Sequence, residues 1–344
     1  MTLLLFVILA FPLFLLFLYR KHRKNGGLLP PGPPGLPFIG NLHQMDNSAP
    51  HRYLWQLSKQ YGPLMSLRLG FVPTIVVSSA KIAKEQRLSY NGLDLAFSPY
   101  NDYWREMRKI CVLHLFTLKR VKSYTSIREY EVSQMIEKIS KLASASKLIN
   151  LSEALMFLTS TIICRNPRVM KKAQEEVRNT FGKKGFIGED DVEKLPYLKA
   201  VVKETMRLLP AAPLLIPRET LQKCSIDGYE IPPKTLVFVN AWAIGRDPEA
   251  WENPEEFMPE RFLGSSVDFR GQHYKLIPFG AGRRVCPGLH IGVVTVELTL
   301  ANLLHSFDWE MPAGMNEEDI DLDTIPGIAM HKKNALCLVA KKYN

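Results

Sequence analysis

The chain has 344 residues, of which 46% are hydrophobic, so it can bury a large core and is not a disordered protein. Its five cysteines lie far apart and form no C-x-x-C pair, which argues against a disulfide framework or a zinc finger and favours a reducing, cytosol-facing compartment. The net charge of +10 is spread along the chain without an aromatic-interleaved basic motif, so nucleic acid is disfavoured as a partner.

The chain opens with an apolar run, residues 3–19, followed at once by the basic residues 20–24 (RKHRK). The run is at the short end of the length that spans a thin bilayer. A secretory signal peptide is the alternative, but no basic region precedes the run and no A-x-A-like site follows it. Residues 1–24 are therefore predicted to form an uncleaved membrane anchor with a basic stop, which leaves the body of the chain in the cytosol.

Two segments follow the predicted anchor. Residues 25–37 contain the sequence PPGPPG, which is too rich in proline for a helix or a sheet interior and predicts a stiff hinge. Residues 64–77 are rich in β-formers on both sides of a glycine and predict a hairpin.

Two helices are predicted next. Residues 100–111 place Trp104 and Arg108 one turn apart on one face, and the alternative to a site there is an ordinary amphipathic helix. From Pro167 the chain carries Glu175 and Glu176 among basic residues at helical spacing, which predicts a solvated helix.

A third helix is predicted over residues 197–209 and carries Glu204 and Arg207 at i, i+3, which alone is a common surface pair. Downstream, the sequence PERF contains Arg261. Between them Arg218 opens a predicted β segment, where a surface base is the alternative interpretation.

The decapeptide 279–288 (FGAGRRVCPG) places a single cysteine, Cys286, in a glycine-rich loop that runs into an apolar helical pattern at residues 290–307. Pro287 suits the first turn of a helix, so Cys286 is predicted at or next to the N-cap, where the helix dipole favours a negatively charged thiolate. The alternative is a buried structural cysteine.

The other residues of the loop fit a flat, partly anionic ligand. Gly280, Gly282 and Gly288 allow sharp bends and a close approach of the backbone. Arg284 can reach an anionic group, and Phe279 can pack against an apolar body. After the helix, residues 325–339 are predicted to return to strand and loop.

Several other kinds of chemistry are disfavoured by the motifs. The histidines show no H-E-x-x-H spacing, which argues against a zinc hydrolase. No G-x-G-x-x-G after a strand and no Walker loop is present, so a nicotinamide or flavin would have to sit on another protein.

The spacing F-x-x-G-x-R-x-C-x-G, together with W-x-x-x-R, E-x-x-R, P-E-R-F and the hinge, resembles the plant-type (A-type) microsomal branch of the cytochrome P450 superfamily. The resemblance implies a mainly α fold with a smaller β region, as one haem-binding catalytic domain over residues 38–344. It also implies a single-pass protein of the endoplasmic reticulum membrane whose catalytic domain faces the cytosol.

The resemblance also implies roles for individual residues. Cys286 would be the catalytic residue and the metal ligand, as the axial thiolate of haem b. Glu204 and Arg207 would form a buried network that locks Arg261 beneath the cysteine loop. The implied cofactor-binding residues are Trp104, Arg108, Arg218, Phe279, Gly280, Gly282, Arg284 and Gly288.

One departure from the family pattern divides the functional interpretation. Several helices are missing between Arg165 and Asn166, including the long distal helix with its A-G-x-D-T pattern, and a smaller deletion is predicted near Glu85 and Gln86. The acid and alcohol that deliver protons to bound dioxygen are missing with that helix. The exposed core should cost far more than a domain's stability, so poor folding is expected unless rearrangement closes the gap.

Four functions remain open. The first is a haem-thiolate monooxygenase that takes electrons from an NADPH-cytochrome reductase, activates O₂ and oxidises a small apolar substrate. The second is a catalytically inactive, truncated form or gene-model fragment of such an enzyme. A haem-thiolate isomerase or dehydratase and a cofactor-free, membrane-anchored interaction domain are the others. Residues 211–216 and 325–329 indicate only that the substrate pocket is apolar.

Overall fold

The computed structural model describes residues 29–46, 48–79, 95–96, 98, 100–151, 161, 163–325 and 330–343. The predicted membrane anchor and the predicted deletion near Glu85 lie outside the described residues. So do residues 326–329, most of the second segment assigned to the substrate pocket.

Helices account for most of the regular structure, with a smaller share of strands, which confirms the predicted fold class. The α-helices are α1 (Pro50–Tyr61), α2 (Asp102–Cys111), α3 (Leu118–Ser123), α4 (Thr125–Ser144), α5 (Pro167–Phe181), α6 (Glu189–Val192), α7 (Pro196–Leu208), α8 (Ala241–Ile244) and α9 (Leu289–Ser306). A turn of π-helix, Val112–Phe116, joins α2 to the segment before α3.

The strands form small sheets at the edges of the helical body. They are β1 (Leu64–Leu69), β2 (Val72–Val77), β3 (Ile149–Asn150), β4 (Arg218–Glu219), β5 (Cys224–Ile226), β6 (Tyr229–Ile231), β7 (Leu236–Val239), β8 (Phe307–Glu310), β9 (Thr324–Ile325), β10 (His331–Lys332) and β11 (Cys337–Lys342). One sheet has the order β1-β2-β7-β4, in which only the β2–β7 pair is parallel. Another has the order β3-β11-β8 and is antiparallel throughout.

Local chemistry explains where several elements begin and end. Helices α1, α5 and α7 each begin with proline, whose missing N–H is not needed in the first turn. The predicted hairpin of residues 64–77 is confirmed as β1 and β2, and Gly70 turns the chain between them with φ +64°. The predicted helices at residues 100–111, 197–209 and 290–307 are confirmed as α2, α7 and α9.

Helix α9 is the centre of the core. It is apolar on nearly every side, and the fully or almost fully buried side chains include Leu298, Leu300 and Leu304. Within the described ranges it is the one helix with the length and hydropathy of a membrane span, and 61% of that window is buried inside the protein. Its burial between α4, α5 and α7 accounts for this composition.

The junction between Arg165 and Asn166 lies inside this core. Ile163 and Cys164, just before the junction, belong to the same buried cluster as Val169 and Ala173 just after it. Burial raises the pKa of the Cys164 thiol to about 12. The two parts of the chain therefore meet through packed side chains.

The prediction of a solvated helix after Pro167 is wrong for one face of α5. Glu175 is exposed, but Val169, Ala173 and Val177 are buried along the opposite side. Glu176 accepts hydrogen bonds from the first backbone N–H groups of α7, those of Tyr197 (2.7 Å) and Leu198 (2.8 Å). The carboxylate of one helix thus caps the next, which the spacing of charges within α5 alone does not reveal.

Candidate active site

The cysteine loop, residues 279–288, is closed by one backbone hydrogen bond. The N–H of Cys286 donates to the carbonyl oxygen of Phe279 at 2.9 Å. Gly280 and Gly282 adopt φ values of +73° and +67°, which non-glycine residues rarely tolerate, so the predicted sharp bends lie at these two positions. The loop is therefore shaped by backbone conformation before any ligand binds.

Two expectations for the end of the loop are wrong. Helix α9 begins at Leu289 with Gly288 as its N-cap, so Pro287 precedes the helix and Cys286 lies two residues before the cap. Gly288 has φ −84°, an ordinary value, and does not provide a left-handed bend. The proline and glycine instead form a turn that leads into α9, which shifts the predicted helix start along the chain.

The sulfur of Cys286 lies beside Gly288. A Cβ placed on Gly288 would lie 3.9 Å from Sγ and 3.7 Å from the ring of Phe116, both ordinary contact distances. Phe116 ends the π-helical turn after α2 and was not identified from the sequence. Cys286 itself is half-buried, so its sulfur is neither sealed in the core nor fully open to water.

Phe279 supports the loop from the side of α9. Its ring packs edge-on against Phe269, with centroids 5.9 Å apart. A Cβ placed on Gly292 of α9 would lie 3.8 Å from the Phe279 ring. The absence of a side chain at Gly292 thus allows the phenyl ring to lie close to the helix.

Trp104 is buried where α2 meets the cysteine loop. Asn101 caps the helix by accepting a hydrogen bond from the Trp104 backbone N–H at 2.9 Å. The indole Nε1 donates to the carbonyl oxygen of Leu95 at 2.9 Å. The indole N–H has a single hydrogen, which is bound to the backbone in this structure, and the role of Trp104 in cofactor binding stays a prediction.

Two arginines lie against the Trp104 ring. The guanidinium carbons of Arg284 and Arg108 are 4.4 Å and 5.4 Å from its centroid. Next to it, Arg283 lies 4.1 Å from the ring of Tyr100. The sequence interpretation included neither Arg283 nor Tyr100, although adjacent arginines and a tyrosine four residues before the tryptophan are visible signals.

Arg108 ties α2 to the cysteine loop. Its Nη2 donates to the carbonyl oxygen of Val285, the residue before Cys286, at 2.6 Å. Burial lowers the pKa of Arg108, and the charge of Cys286 partly opposes this by favouring the cation. A permanent cation is thus held next to the backbone of the candidate thiolate.

Arg218 and Arg284 meet at a single backbone carbonyl. Both donate from Nη1 to the carbonyl oxygen of Ala96, at 3.1 Å and 3.3 Å, and Arg284 also donates to the carbonyl oxygen of Ser98. Burial lowers the pKa of Arg218 to about 10, and the neighbouring charges of Arg284 and Arg108 act in the same direction. The three guanidinium groups form what we call the arginine cluster.

Two members of the arginine cluster, Arg108 and Arg218, have no negatively charged partner among the described residues. Within the described part of the chain, neither Arg108 nor Arg218 has a carboxylate within salt-bridge distance; their hydrogen-bond acceptors are neutral carbonyls. The hydroxyl of Ser98 is also buried there without a hydrogen-bond partner among these residues. Gathered cations beside a cysteine sulfur fit a group that combines a metal with carboxylates, as haem does.

The structure brings together the three residues of the predicted buried network. The Glu204 carboxylate receives two hydrogen bonds from Arg207, each 2.7 Å, and one from Arg261 at 3.1 Å. The side chains of Glu204 and Arg207 are fully buried. The backbone N–H of Met258 donates to the same carboxylate at 2.8 Å.

The described hydrogen bonds of the network go to a segment before the cysteine loop, and its position beneath the loop stays a prediction. Its remaining hydrogen bonds go to backbone carbonyls of the segment 245–256, namely those of Gly245, Glu252, Asn253, Pro254 and Glu256. That segment reaches the loop indirectly, because Trp251 and Leu276 share a buried cluster shortly before Phe279. The network therefore supports the loop through packing.

On the other side of α2, apolar side chains face outward. Ile110, Leu113, Leu115 and Leu118 are all exposed, around the π-helical turn that contains Phe116. Large aliphatic side chains grouped in this way usually pack against something. They surround the turn whose Phe116 lies close to Gly288 of the cysteine loop.

A separate cleft of about 980 Å³ lies away from this site. It is lined by Trp55, Trp242 and Arg246 among other residues, and it shares none of them with the cysteine loop or the arginine cluster. The stacked Trp242 and Arg246 at its wall hold the loop after α8 in place. The candidate site is located by the thiol of Cys286 and the guanidinium groups of the arginine cluster, and the volume of this cleft does not locate it.

Comparison with known proteins gives a consistent result. A sequence model of the family "Cytochrome P450" matches residues 30–165 and again residues 161–339. The match is in two pieces, and it breaks at the junction between Arg165 and Asn166.

The relatives are plant proteins. The chain is similar to 6,7,8-trihydroxycoumarin synthase of Pastinaca sativa, 41% identical over 497 positions that cover 98% of each chain. It is 39% identical to 5-OH-xanthotoxin synthase of the same species over 499 positions, again 98% of each chain. It is 36% identical to cytochrome P450 71B36 of Arabidopsis thaliana over 477 positions, 94% of this chain and 95% of the relative.

Alignments of this length cannot be filled by 344 residues, so a large part of each relative has no counterpart here, although both ends align. The family uses haem with a cysteine thiolate as axial ligand, and its members are monooxygenases. With the cysteine loop, the Glu204 network and the family match covering most of its length, the chain belongs to the plant A-type cytochromes P450, a family of haem monooxygenases.

Proposed function

We propose that this chain binds haem b through Cys286 and the arginine cluster, and that it oxidises a small apolar plant metabolite with O₂ and electrons from an NADPH-cytochrome reductase. The observation that carries the proposal is the arrangement of Arg108, Arg218 and Arg284 beside Cys286. Among the described residues, neither Arg108 nor Arg218 has a carboxylate within salt-bridge distance. Haem, when bound, supplies the oxygen chemistry of the family.

Different residues of the chain would bind different parts of haem. Cys286 provides the thiolate, and the loop hydrogen bond to Phe279 fixes the backbone that carries it. Arg108, Arg218 and Arg284 provide charge for the carboxylates, since each guanidinium has more donors than the backbone carbonyls accept. Phe116 offers an apolar surface beside Gly288, at the end of the same loop.

The relatives support a more specific substrate class. Two of them are named for making 6,7,8-trihydroxycoumarin and 5-OH-xanthotoxin. We extend this to a small aromatic substrate of the coumarin type. The apolar residues Leu214, Leu215 and Ile216, which precede the strand with Arg218, are consistent with such a molecule.

The partners follow from charge and from the predicted anchor. A net charge of +10 favours association with an acidic electron-donor protein and with anionic lipid headgroups. Residues 1–24 would hold the chain in the endoplasmic reticulum membrane, residues 25–37 would act as the hinge, and residues 38–344 would form one cytosolic catalytic domain with its deletion near 165–166.

One observation favours a second candidate, a form that binds haem but does not turn over. The sequence has no A-G-x-D-T pattern, and the family match breaks at residues 161–165. The groups that deliver protons to bound oxygen would then be missing while the cysteine side of the site is kept.

A carbon monoxide difference spectrum of reduced membranes containing the full chain tests the haem site. We expect the absorption band of a thiolate-ligated haem for the natural sequence and its loss in Cys286→Ala. Cys224→Ala, another half-buried cysteine outside the site, is the matched control and should keep the band. A band that survives Cys286→Ala contradicts the assignment of the ligand.

Product formation separates the two candidates once the band is present. With reductase, NADPH and coumarin, the monooxygenase predicts a hydroxylated product whose amount follows NADPH consumption. The inactive form predicts the haem band with no product. Loss of product on omitting the reductase establishes the electron source.

A further inference from the structure

The cleft of about 980 Å³ that lies away from the cysteine loop has the size of a pocket for a small molecule. Two tryptophans line it, Trp55 of α1 and Trp242 of α8, and their rings meet edge to face with centroids 5.1 Å apart. Trp242 is buried and Trp55 is half-buried. Ligand pockets typically combine aromatic surface of this kind with a few polar groups at defined positions.

The two helices that carry these tryptophans are fixed to each other. The side-chain amide of Asn240 donates to the carbonyl oxygen of His51 in α1 at 3.0 Å, and its own oxygen accepts from the N–H of Ala243 in α8 at 3.1 Å. Burial lowers the pKa of His51 to about 4, and two neighbouring arginines act in the same direction, so this side chain is uncharged at neutral pH. The walls of the cleft are therefore set by the fold, and His51 adds no charge to them.

One wall of the cleft, formed by α1, carries positive charge. Arg52 and Lys59 line the cleft and lie two turns apart on the side of α1 that also bears Trp55. Both side chains are exposed, and neither has a carboxylate within salt-bridge distance in the described part of the chain. The Nζ of Lys59 lies 3.4 Å from the centroid of the Trp55 ring, which holds its charge against the aromatic surface. A carboxylate in the cleft would meet two cations here.

A second wall, formed by the segment after α8, carries negative charge. Asp247 and Glu249 line the cleft there, and the Asp247 carboxylate accepts a hydrogen bond from the backbone N–H of Glu249 at 3.0 Å. Neither carboxylate forms an ion pair with a cation among the described residues. Glu255 also lines the cleft, but Arg246 already neutralises it at 3.1 Å. An amino group in the cleft would meet two carboxylates on this wall.

The distribution of charge restricts the kind of ligand that fits. A ligand with charge of only one sign would be attracted by one wall and repelled by the other. A ligand that carries both signs satisfies both walls, provided that its two charges are far enough apart. The ends of an extended dipeptide are separated by roughly 7 Å, whereas a single amino acid carries both charges on one carbon. An aromatic side chain on such a dipeptide would add contact with the two indoles.

We infer that this cleft is a binding site for a short aromatic peptide in its zwitterionic form. The carboxylate of the peptide binds Arg52 and Lys59. Its amino group binds Asp247 and Glu249, and its aromatic side chain packs on the tryptophans. The site shares no lining residue with the cysteine loop or the arginine cluster, so it does not depend on the proposed function.

Isothermal titration calorimetry of the full-length chain in detergent micelles tests this site with the dipeptide phenylalanyl-alanine. We expect saturable binding to the natural sequence. N-acetyl-phenylalanyl-alanine lacks the positive charge and phenylalanyl-alaninamide lacks the negative charge, so each should bind about 10- to 100-fold more weakly, the difference that a hydrogen bond to a charged group makes. Alanyl-alanine should also bind more weakly, because it has no ring to pack on the indoles.

Substitutions then assign each charge to its wall. In the double variant Arg52→Gln with Lys59→Gln, phenylalanyl-alanine should bind as weakly as its amide, and binding of the amide should not fall. In Asp247→Asn with Glu249→Gln, it should bind as weakly as its N-acetyl form. Glu175→Gln, an exposed carboxylate on α5 outside the cleft, is the matched control and should change nothing.

Three results would overturn the inference: no saturable binding of phenylalanyl-alanine, equal affinities for the three peptides that carry the ring, or the same loss of affinity in Glu175→Gln as in the cleft variants. The comparison of peptides uses the natural sequence, so it decides the question even where a substitution disturbs the fold. It needs no haem, and its outcome is therefore separate from that of the proposed function.

Discussion

The Glu204 network and the arginine cluster both hold buried guanidinium groups. The network has a carboxylate at its centre, whereas Arg108 and Arg218 of the cluster have no carboxylate within salt-bridge distance among the described residues. Glu204 receives three hydrogen bonds from Arg207 and Arg261 at 2.7 to 3.1 Å. In the cluster, Arg108 and Arg218 bond only to backbone carbonyls among the described residues.

The difference separates a structural site from a binding site. Charges that are buried and mutually satisfied hold elements together, and removing one partner leaves the other uncompensated. Cations that lie close together without an anion destabilise the fold. A ligand that supplies the missing negative charge makes the arrangement favourable. The comparison predicts effects of opposite sign on the stability of the cofactor-free chain.

Loss of the carboxylate from the network should have the largest effect. Glu204→Gln leaves the fully buried Arg207 without its counter-charge, so we expect the free energy of unfolding to fall by about 3 to 5 kcal/mol. Chemical denaturation in detergent micelles measures it. Glu175→Gln on the exposed face of α5 is the control. A loss below about 1 kcal/mol would mean that the network does not hold the fold.

Glu297 of α9 is a third buried charged group, and burial is the main cause of its pKa shift. Lys199 and Lys203 of α7 are the cations that act on it. Burial raises its pKa from 4.5 to about 7, and the charge of Glu193 adds to this while the two lysines oppose it. A raised pKa means that the folded chain holds the proton more tightly than the unfolded chain does.

The stability from Glu297 is therefore fully present below pH 4.5 and is lost as the pH rises through about 7. Glu297→Gln should remove this dependence, so the variant gains up to about 3 kcal/mol relative to the natural sequence between about pH 4.5 and pH 8. Denaturation at several pH values measures it, with the exposed Glu131→Gln as control. Parallel pH profiles for the natural sequence and the Glu297→Gln variant would contradict it.

Removal of one charge from the arginine cluster should leave the cofactor-free chain as stable as before or slightly more stable. Arg218→Gln keeps a donor for the Ala96 carbonyl and relieves repulsion from Arg284 and Arg108. Haem affinity should fall about 10- to 100-fold, because a charged hydrogen bond contributes about 1.5 to 3 kcal/mol. Haem titration followed by absorbance measures it.

A control for Arg218→Gln comes from an arginine that already has a carboxylate. Arg178→Gln removes a half-buried arginine paired with Asp308 at 2.8 Å, away from the cysteine loop. It should lower stability and leave haem affinity unchanged. If both variants weaken haem binding equally, the cluster has no special role in holding carboxylates.

The smallest effect is a difference in stability between alanine variants of two glycines in the cysteine loop. Gly282→Ala places a Cβ at φ +67° and should cost about 1 to 2 kcal/mol of stability. Gly288→Ala, at φ −84° with contacts no closer than 3.7 Å, should change it by less than about 0.5 kcal/mol. Unfolding of both variants without cofactor measures the difference. A costly Gly288→Ala would mean that the loop end is tighter than its geometry shows.

Much of the fold could be predicted because its signals are local. The hairpin at residues 64–77 follows from β-formers around Gly70, and the helix at residues 290–307 follows from its continuous apolar character. The start of α9 was misplaced because a proline suits both the first turn and the turn before it. The buried face of α5 was missed because its charges suggested solvent on all sides.

The residues that carry the chemistry of the candidate site could be predicted from the sequence, but their hydrogen-bond and packing partners could not. Cys286 and Arg284 were identified from a spacing within ten residues. The acceptor of Arg108 was not, because Val285 lies 177 positions further along the chain. Phe116 was missed for the same reason, since no local pattern links it to the sulfur.

The sequence by itself determined which side chains carry the chemistry, since a thiol, a carboxylate and a set of guanidinium groups recur at spacings that short segments can display. Only the tertiary structure decided which of those charges are neutralised. The Glu204 carboxylate meets Arg261 and the Ala96 carbonyl meets Arg218 because folding brings distant segments within hydrogen-bond distance. Charge balance depends on distances in space, and the order of residues along the chain does not fix them.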